Sequence, residues 1–88
     1  MPTLSMFYGI IVRMFAESGG QHNRPRIHAV FGGEEVVVAL DGTVIDGKFP
    51  KNKMNLLIAW MEIHRDELEA NWTLLTEGEP AFKIEPLK

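Results

Sequence analysis

Hydrophobic positions follow two different periods along this chain. Between residues 54 and 75 they recur at three- and four-residue steps: Met54, Leu57, Ile58, Met61, Leu68, Trp72 and Leu75. That spacing lays one apolar stripe along a helix. Pro50 suits a first helical position, where its missing N–H would have no partner anyway. Gly78 suits the residue just past the end. The pattern predicts one helix over residues 50–77, roughly 40 Å long at 1.5 Å per residue. Arg65 interrupts the stripe, and Asp66 followed by Glu69 resembles a capping box. A kink is therefore expected near His64 to Asp66, within one helix rather than between two.

Leu56, Trp60, Ile63 and Leu74 fall on the side opposite the stripe. A helix that is apolar all round must be covered all round. A sheet covers one side, so the chain's own tail or another subunit must cover Trp60. The tail offers only Phe82, Ile84 and Leu87, which makes a second subunit the expected cover. Trp60, Leu56, Ile63 and Leu74 are thus the candidate interaction face.

The first half of the chain reads in steps of two. Residues 1–5 read as a leader and residues 7–15 as a first strand, apolar on both faces. Residues 18–25 hold two glycines, Asn23 and Pro25, a loop signal. Strands over 26–31, 34–40 and 43–48 are separated by Gly32-Gly33 and Asp41-Gly42, both hairpin signals. Two-residue loops there place Phe31 opposite Glu34, Ala29 opposite Val36 and Ile27 opposite Val38. They also place Leu40 opposite Thr43 and Val38 opposite Ile45. One face is then uniformly apolar, through Ile27, Ala29, Phe31, Val36, Val38, Leu40 and Ile45, and should receive the helix. The other face mixes Arg26, His28, Val30, Glu35, Val37, Ala39, Val44, Asp46 and Lys48, with Glu35 across from Lys48. The tail, residues 81–87, alternates Phe82 and Ile84 with Lys83 and Glu85, and suits an edge strand or the spare helix face. The elements predict an α+β fold: a four-stranded antiparallel meander packed on one face by a long C-terminal helix, with a short extended tail.

Composition narrows the function classes. The 88 residues predict one domain. A net charge of −3 weighs against non-specific binding to nucleic acid or membranes. There is no cysteine, hence no disulfide framework and no thiolate metal site. No apolar run approaches the ~18 residues of a membrane span, and the first residues lack a signal-peptide pattern. A cytoplasmic protein is expected.

Candidate chemistry is sparse. His22, His28 and His64 are assigned to a loop, a strand and a helix, without the tight spacing of a metal site. No metal or cofactor is expected. Arg13, Arg26, His28 and Asp46 can share the open sheet face, but a nucleic-acid surface wants basic residues interleaved with exposed aromatics. Glu62, Asp66, Glu67 and Glu69 read as a solvated helix face rather than a paired-carboxylate site. Gly32-Gly33 is no phosphate loop, since no helix or lysine follows.

The opening Met1-Pro2-Thr3-Leu4-Ser5 with Phe7-Tyr8-Gly9-Ile10-Ile11-Val12-Arg13-Met14, together with His22-Asn23, Pro25, Ile27-His28-Ala29, Gly33-Glu34-Glu35, Gly47-Lys48, Trp60, His64-Arg65, Asn71-Trp72 and Lys83-Ile84-Glu85-Pro86-Leu87, resembles a family of small bacterial proteins catalogued as a domain of unknown function. Members commonly carry a Pro-x-His-Phe-His-Ala pattern. Arg26 stands where the first of those histidines would be, so this chain departs from any two-histidine site. Genes of the family often lie beside another small domain, in an arrangement similar to toxin–antitoxin pairs. The resemblance implies a cytoplasmic bacterial protein with a partner.

Two functions compete on these grounds. One is a non-enzymatic interaction or regulatory module, a homodimer or the partner of a small protein, that uses surplus apolar surface. The other is a small toxin that binds or cleaves nucleic acid through Arg13, Arg26, His28 and Asp46. A cleft joining Arg13, Arg26 and His28 would favour the second, and a flat face the first.

Overall fold

The computed structural model describes residues 3–16 and 24–88. It is α+β. Strands β1 (Thr3–Phe7), β2 (Ile10–Arg13), β3 (Arg26–Phe31), β4 (Glu34–Ala39) and β5 (Val44–Gly47) precede helices α1 (Lys51–Ile63) and α2 (Arg65–Thr76). The strands form one antiparallel sheet in chain order, β1-β2-β3-β4-β5.

The sheet has five strands, not four, because the predicted first strand is a hairpin. Residues 3–7, read as mostly leader, pair with β2 through Phe7↔Ile10, Met6↔Ile11 and Ser5↔Val12. Tyr8 and Gly9 make the two-residue turn, both at positive φ, 50° and 82°. Type I′ hairpin turns need that geometry and usually announce it with Asn, Asp or Gly first. Tyrosine in that place hid the turn. An irregularity between Thr3 and Ser5 accompanies the burial of Leu4 in the core.

The β3–β4 register is as predicted, with Phe31↔Glu34, Ala29↔Val36 and Ile27↔Val38. The β4–β5 register holds at Val37↔Asp46 and fails one residue later, where Val38 meets Val44 instead of Ile45. The connection is longer than two residues. The Gly42 N–H donates to Ala39 O, the Ala39 N–H donates to Thr43 O, and Gly42 adopts φ 96°. This is a turn closed by a glycine bulge. Asp41 Oδ1 accepts the Thr43 N–H at 2.9 Å and fixes it. Ile45 becomes the extra residue and is 43% exposed, outside the core row.

The long helix is two helices. At His64 the backbone moves to φ −110°, ψ 26°, ending α1 and starting α2. The core-facing residues of the pair are Leu57, Trp60, Met61 and Leu68, with Met54, Ile58, Trp72 and Leu75 packed at its margin. Trp60 does not point away from the sheet as expected. Its ring lies 5.2 Å from that of Phe7 in β1, and its exposure is 0%.

The tail completes the cover. It forms no strand. Ala81, Ile84 and Leu87 turn inward while the residues between them are exposed. That is a period of three, the period of a polyproline II helix, rather than the alternation of Phe82 and Ile84 read from the sequence. Ile84 N–H donates to Leu4 O at 2.8 Å. Trp60 Nε1 donates to Glu85 O at 2.8 Å. Asn71, fully buried, donates from Nδ2 to Phe82 O and accepts the Phe82 N–H on Oδ1, each at 2.9 Å. The cover over Trp60 is therefore built within the chain.

Candidate functional site

Helices and tail close one face of the sheet, which leaves the other face as the surface the fold presents. Strand pairing places its residues in rows. Arg13↔His28, His28↔Val37 and Val37↔Asp46 make one row across four strands. Met6↔Ile11, Ile11↔Val30 and Val30↔Glu35 make the next. The second row is apolar until its last member, and Met6 is 64% exposed.

His28 is the best-held polar side chain on this face. Its Nδ1 lies 3.3 Å from Glu35 Oε2, one diagonal step away in the register. The Phe15 ring meets its edge at 4.7 Å between centroids. Glu35 lies across from Lys48 as expected, with the Lys48 N–H donating to Glu35 O, while its carboxylate turns to His28. A shallow depression of about 220 Å³ lies among His28, Glu35, Val37, Asp46 and Gly47. Glu35 and Phe15 were not singled out from the sequence, although the β3–β4 register puts Glu35 within reach of His28.

The proposed set of Arg13, Arg26, His28 and Asp46 separates in three dimensions. Arg13, His28 and Asp46 share a row. Arg26 leaves it: its Nη1 donates to Arg24 O at 3.2 Å, and its guanidinium lies 5.7 Å above the Trp72 ring of α2. The depression beside His28 includes neither Arg13 nor Arg26. His64 sits in the helix break against Trp60 and Glu67, away from His28. His22 lies outside the described residues. Among the described residues no group of three or more His, Asp or Glu side chains is placed to hold a metal ion.

The candidate helix face is also redistributed. Trp60 is sealed in the core and Leu56 packs against it, while Leu74 is half-buried. Ile63, at 66% exposure, is the member that stays on the surface.

A cleft of about 340 Å³ lies at the end of the sheet against α2, between Arg24, Leu40, Asp41, Arg65 and Trp72. Sequence reasoning did not find it, because it joins a turn to a helix 24 or more positions away. Each of its two arginines is paired with a carboxylate. Arg24 Nη2 lies 3.0 Å from Asp41 Oδ2, and Arg65 Nη2 lies 3.0 Å from Glu62 Oε2. The Asp41 carboxyl is held below the usual carboxylate range, first by the Thr43 backbone N–H, then by the Thr43 side chain and Arg24.

A five-stranded antiparallel meander, covered on one face by a broken helix and a strapped tail, defines an α+β protein with one sheet face left open. The family described as domain of unknown function (DUF4160) matches residues 9–73, and the chain belongs to that family. No curated protein matches the chain, and no solved structure matches it. Among the described residues no helix is long and apolar enough to cross a membrane.

Proposed function

We propose that this chain is a non-enzymatic protein-interaction module whose contact surface is the open face of the sheet. The observation that carries this reading is the make-up of that face. Met6, Ile11, Val30 and Val37 form an apolar centre, and Arg13, Glu35, Asp46 and Lys48 surround it with both signs of charge. An apolar centre inside a polar rim is the common anatomy of a protein–protein contact. Both signs on one face also suit a two-fold contact between identical copies, where a cation of one copy meets a carboxylate of the other. The partner we favour is a second copy. A small protein encoded beside this one, as the family's toxin–antitoxin-like gene arrangement suggests, is the alternative partner.

The test is sedimentation velocity on the wild type and on Met6→Glu. Met6 is largely exposed, so the substitution leaves the monomer fold intact. A concentration-dependent dimer that Met6→Glu splits, with an unchanged melting temperature, supports the reading. A wild type that stays monomeric throughout, or a dimer indifferent to the substitution, refutes self-association through this face. Ribonuclease or nucleic-acid-binding activity lost in His28→Ala would move the function to the competing class, with His28 and Glu35 as its centre.

A further inference from the structure

The tail is held in the manner of a bound peptide. Three separate elements contact its backbone: the Leu4 carbonyl from β1, the Trp60 indole N–H from α1 and both ends of the Asn71 amide from α2. These bonds fall on Phe82, Ile84 and Glu85 and read main chain, not side chain. Ala81, Ile84 and Leu87 enter the apolar floor at steps of three. Extended peptides are held by receptors in this way, with backbone bonds for affinity and recurrent inward side chains for specificity. Pro80 and Pro86 frame the segment and favour that conformation before docking. The connection to α2 is short and exposed, Glu77 to Pro80, with Gly78 at φ 80°.

We propose that the groove between β1, α1 and α2 is a peptide-binding site, filled in cis by the chain's own tail, and that its trans ligand is the tail of a second copy. Exchange re-forms every contact of the closed monomer in the partner's groove, so the hinge over residues 77–80 decides between cis and trans. The cis tail wins at low protein concentration because a short tether gives it an effective concentration in the millimolar range. This interface is separate from the open sheet face and stands whether or not that face docks a partner.

The experiment uses the full chain and a fluorescein-labelled peptide of residues 79–88. In Ile84→Ala the groove is intact and the cis competitor has lost its central anchor. The peptide should bind this chain at least about tenfold more tightly than the wild type, the scale of a lost buried aliphatic side chain. The same peptide carrying Ile84→Ala should lose binding by a similar factor. Equal affinity for both chains, or indifference to the peptide's own isoleucine, overturns the groove. For the exchange, Glu79 and Pro80 are deleted in a Met6→Glu background, so that the sheet-face contact is removed. The shortened hinge keeps the tail from its own groove. A dimer by light scattering, with tryptophan emission unshifted from that of the Met6→Glu chain, is expected. A monomer with red-shifted emission overturns the second-copy assignment.

Discussion

Asn71→Leu tests how the covered face is closed. Asn71 is buried and polar, a costly combination unless both ends of its amide are paired. Both ends are paired, to the N–H and C=O of Phe82. Leucine keeps the branch and the number of side-chain heavy atoms but is larger, so it removes the two bonds without opening a cavity and adds some crowding. Each bond is worth about 1 kcal/mol net, which gives about 2 kcal/mol for the pair. Phe82 itself is exposed at 38%, so its freed backbone groups are not left deep in the core and the bond term stays near that sum. For a domain this size 1 kcal/mol moves Tm by roughly 4–8 °C, so a fall of roughly 5–15 °C is expected. The loss should be local first: trypsin should cut after Lys83 faster, and the Trp60 emission, read in a Trp72→Phe background, should shift to the red, before the sheet melts. Asn71→Asp should be worse than Asn71→Leu near neutral pH, because it sets a buried carboxylate against the Phe82 carbonyl. Burial raises that carboxyl's pKa in the folded state, so the folded chain binds the proton more tightly than the unfolded one. Its deficit should therefore shrink as pH falls through the raised pKa, where the protonated group can donate to Phe82 O as the amide does. Calorimetry across pH and limited proteolysis read all three effects. A variant Asn71→Leu that melts with the wild type and resists trypsin equally would show that the tail is not clamped through Asn71.

Further predictions follow from single positions. Val38→Asp should unfold the domain, since a fully buried carboxylate without a partner costs several kcal/mol, comparable to the whole stability of a small domain; Val37→Asp, on the open face, should retain a cooperative urea transition. Gly47→Ala should lose about 1–3 kcal/mol in urea unfolding, because Gly47 sits at φ 79° and a Cβ there would run into the Glu35 carbonyl; a melt within error of the wild type would refute the β5 geometry. Asp41→Asn should flatten the acid limb of the stability curve. The Asp41 carboxyl is held below its usual value, so its contribution is present above the unfolded carboxylate pKa and fades as pH falls through the lowered one; an unchanged acid limb would count against the Thr43 and Arg24 contacts. His28→Ala should cost about 1 kcal/mol, since its ring packs on Phe15 and pairs with Glu35 while still lying on the open face, checked by the same melts.

The fold was legible wherever local signals agreed with each other. Gly32-Gly33, flanked by Ile27, Ala29 and Val36, Val38 in alternation, left one register open to β3 and β4 because a slip of one residue would have turned the row outward. It was illegible where one residue carried a rare conformation without advertising it. Tyr8 at positive φ turned a nine-residue apolar run into two strands and converted a leader into β1. At Asp41-Gly42 the signal was real but its length was wrong, since Asp41 spends its carboxylate on Thr43 and so stabilises the longer turn. Leu40 therefore falls in the turn instead of opposite Thr43, and Ile45 is displaced from the core row as β5 returns to register at Asp46.

The site was harder to read than the fold for a physical reason. Row membership along a strand follows from pairing, so Arg13, His28 and Asp46 came together as the register dictated. Side-chain direction at a strand end does not. Arg26 opens β3, and there the pull of the Trp72 face and the Arg24 carbonyl outweighs the alternation that would have kept it beside His28. The tail shows the same limit from the other side. Phe82, Ile84 and the charges between them scan as period two, which argues for an edge strand, yet Asn71 holds the Phe82 backbone where strand pairing would otherwise put a neighbour. One amide side chain supplies the donor and the acceptor that a sixth strand would have needed, and the segment is then free to turn every third residue inward. The apparent surplus of apolar surface around Trp60, which argued for a second subunit, is consumed by that arrangement. The helix side is thus closed by the chain itself with the help of a single buried asparagine, which leaves the open sheet face as the uncovered surface on which the proposed interaction rests.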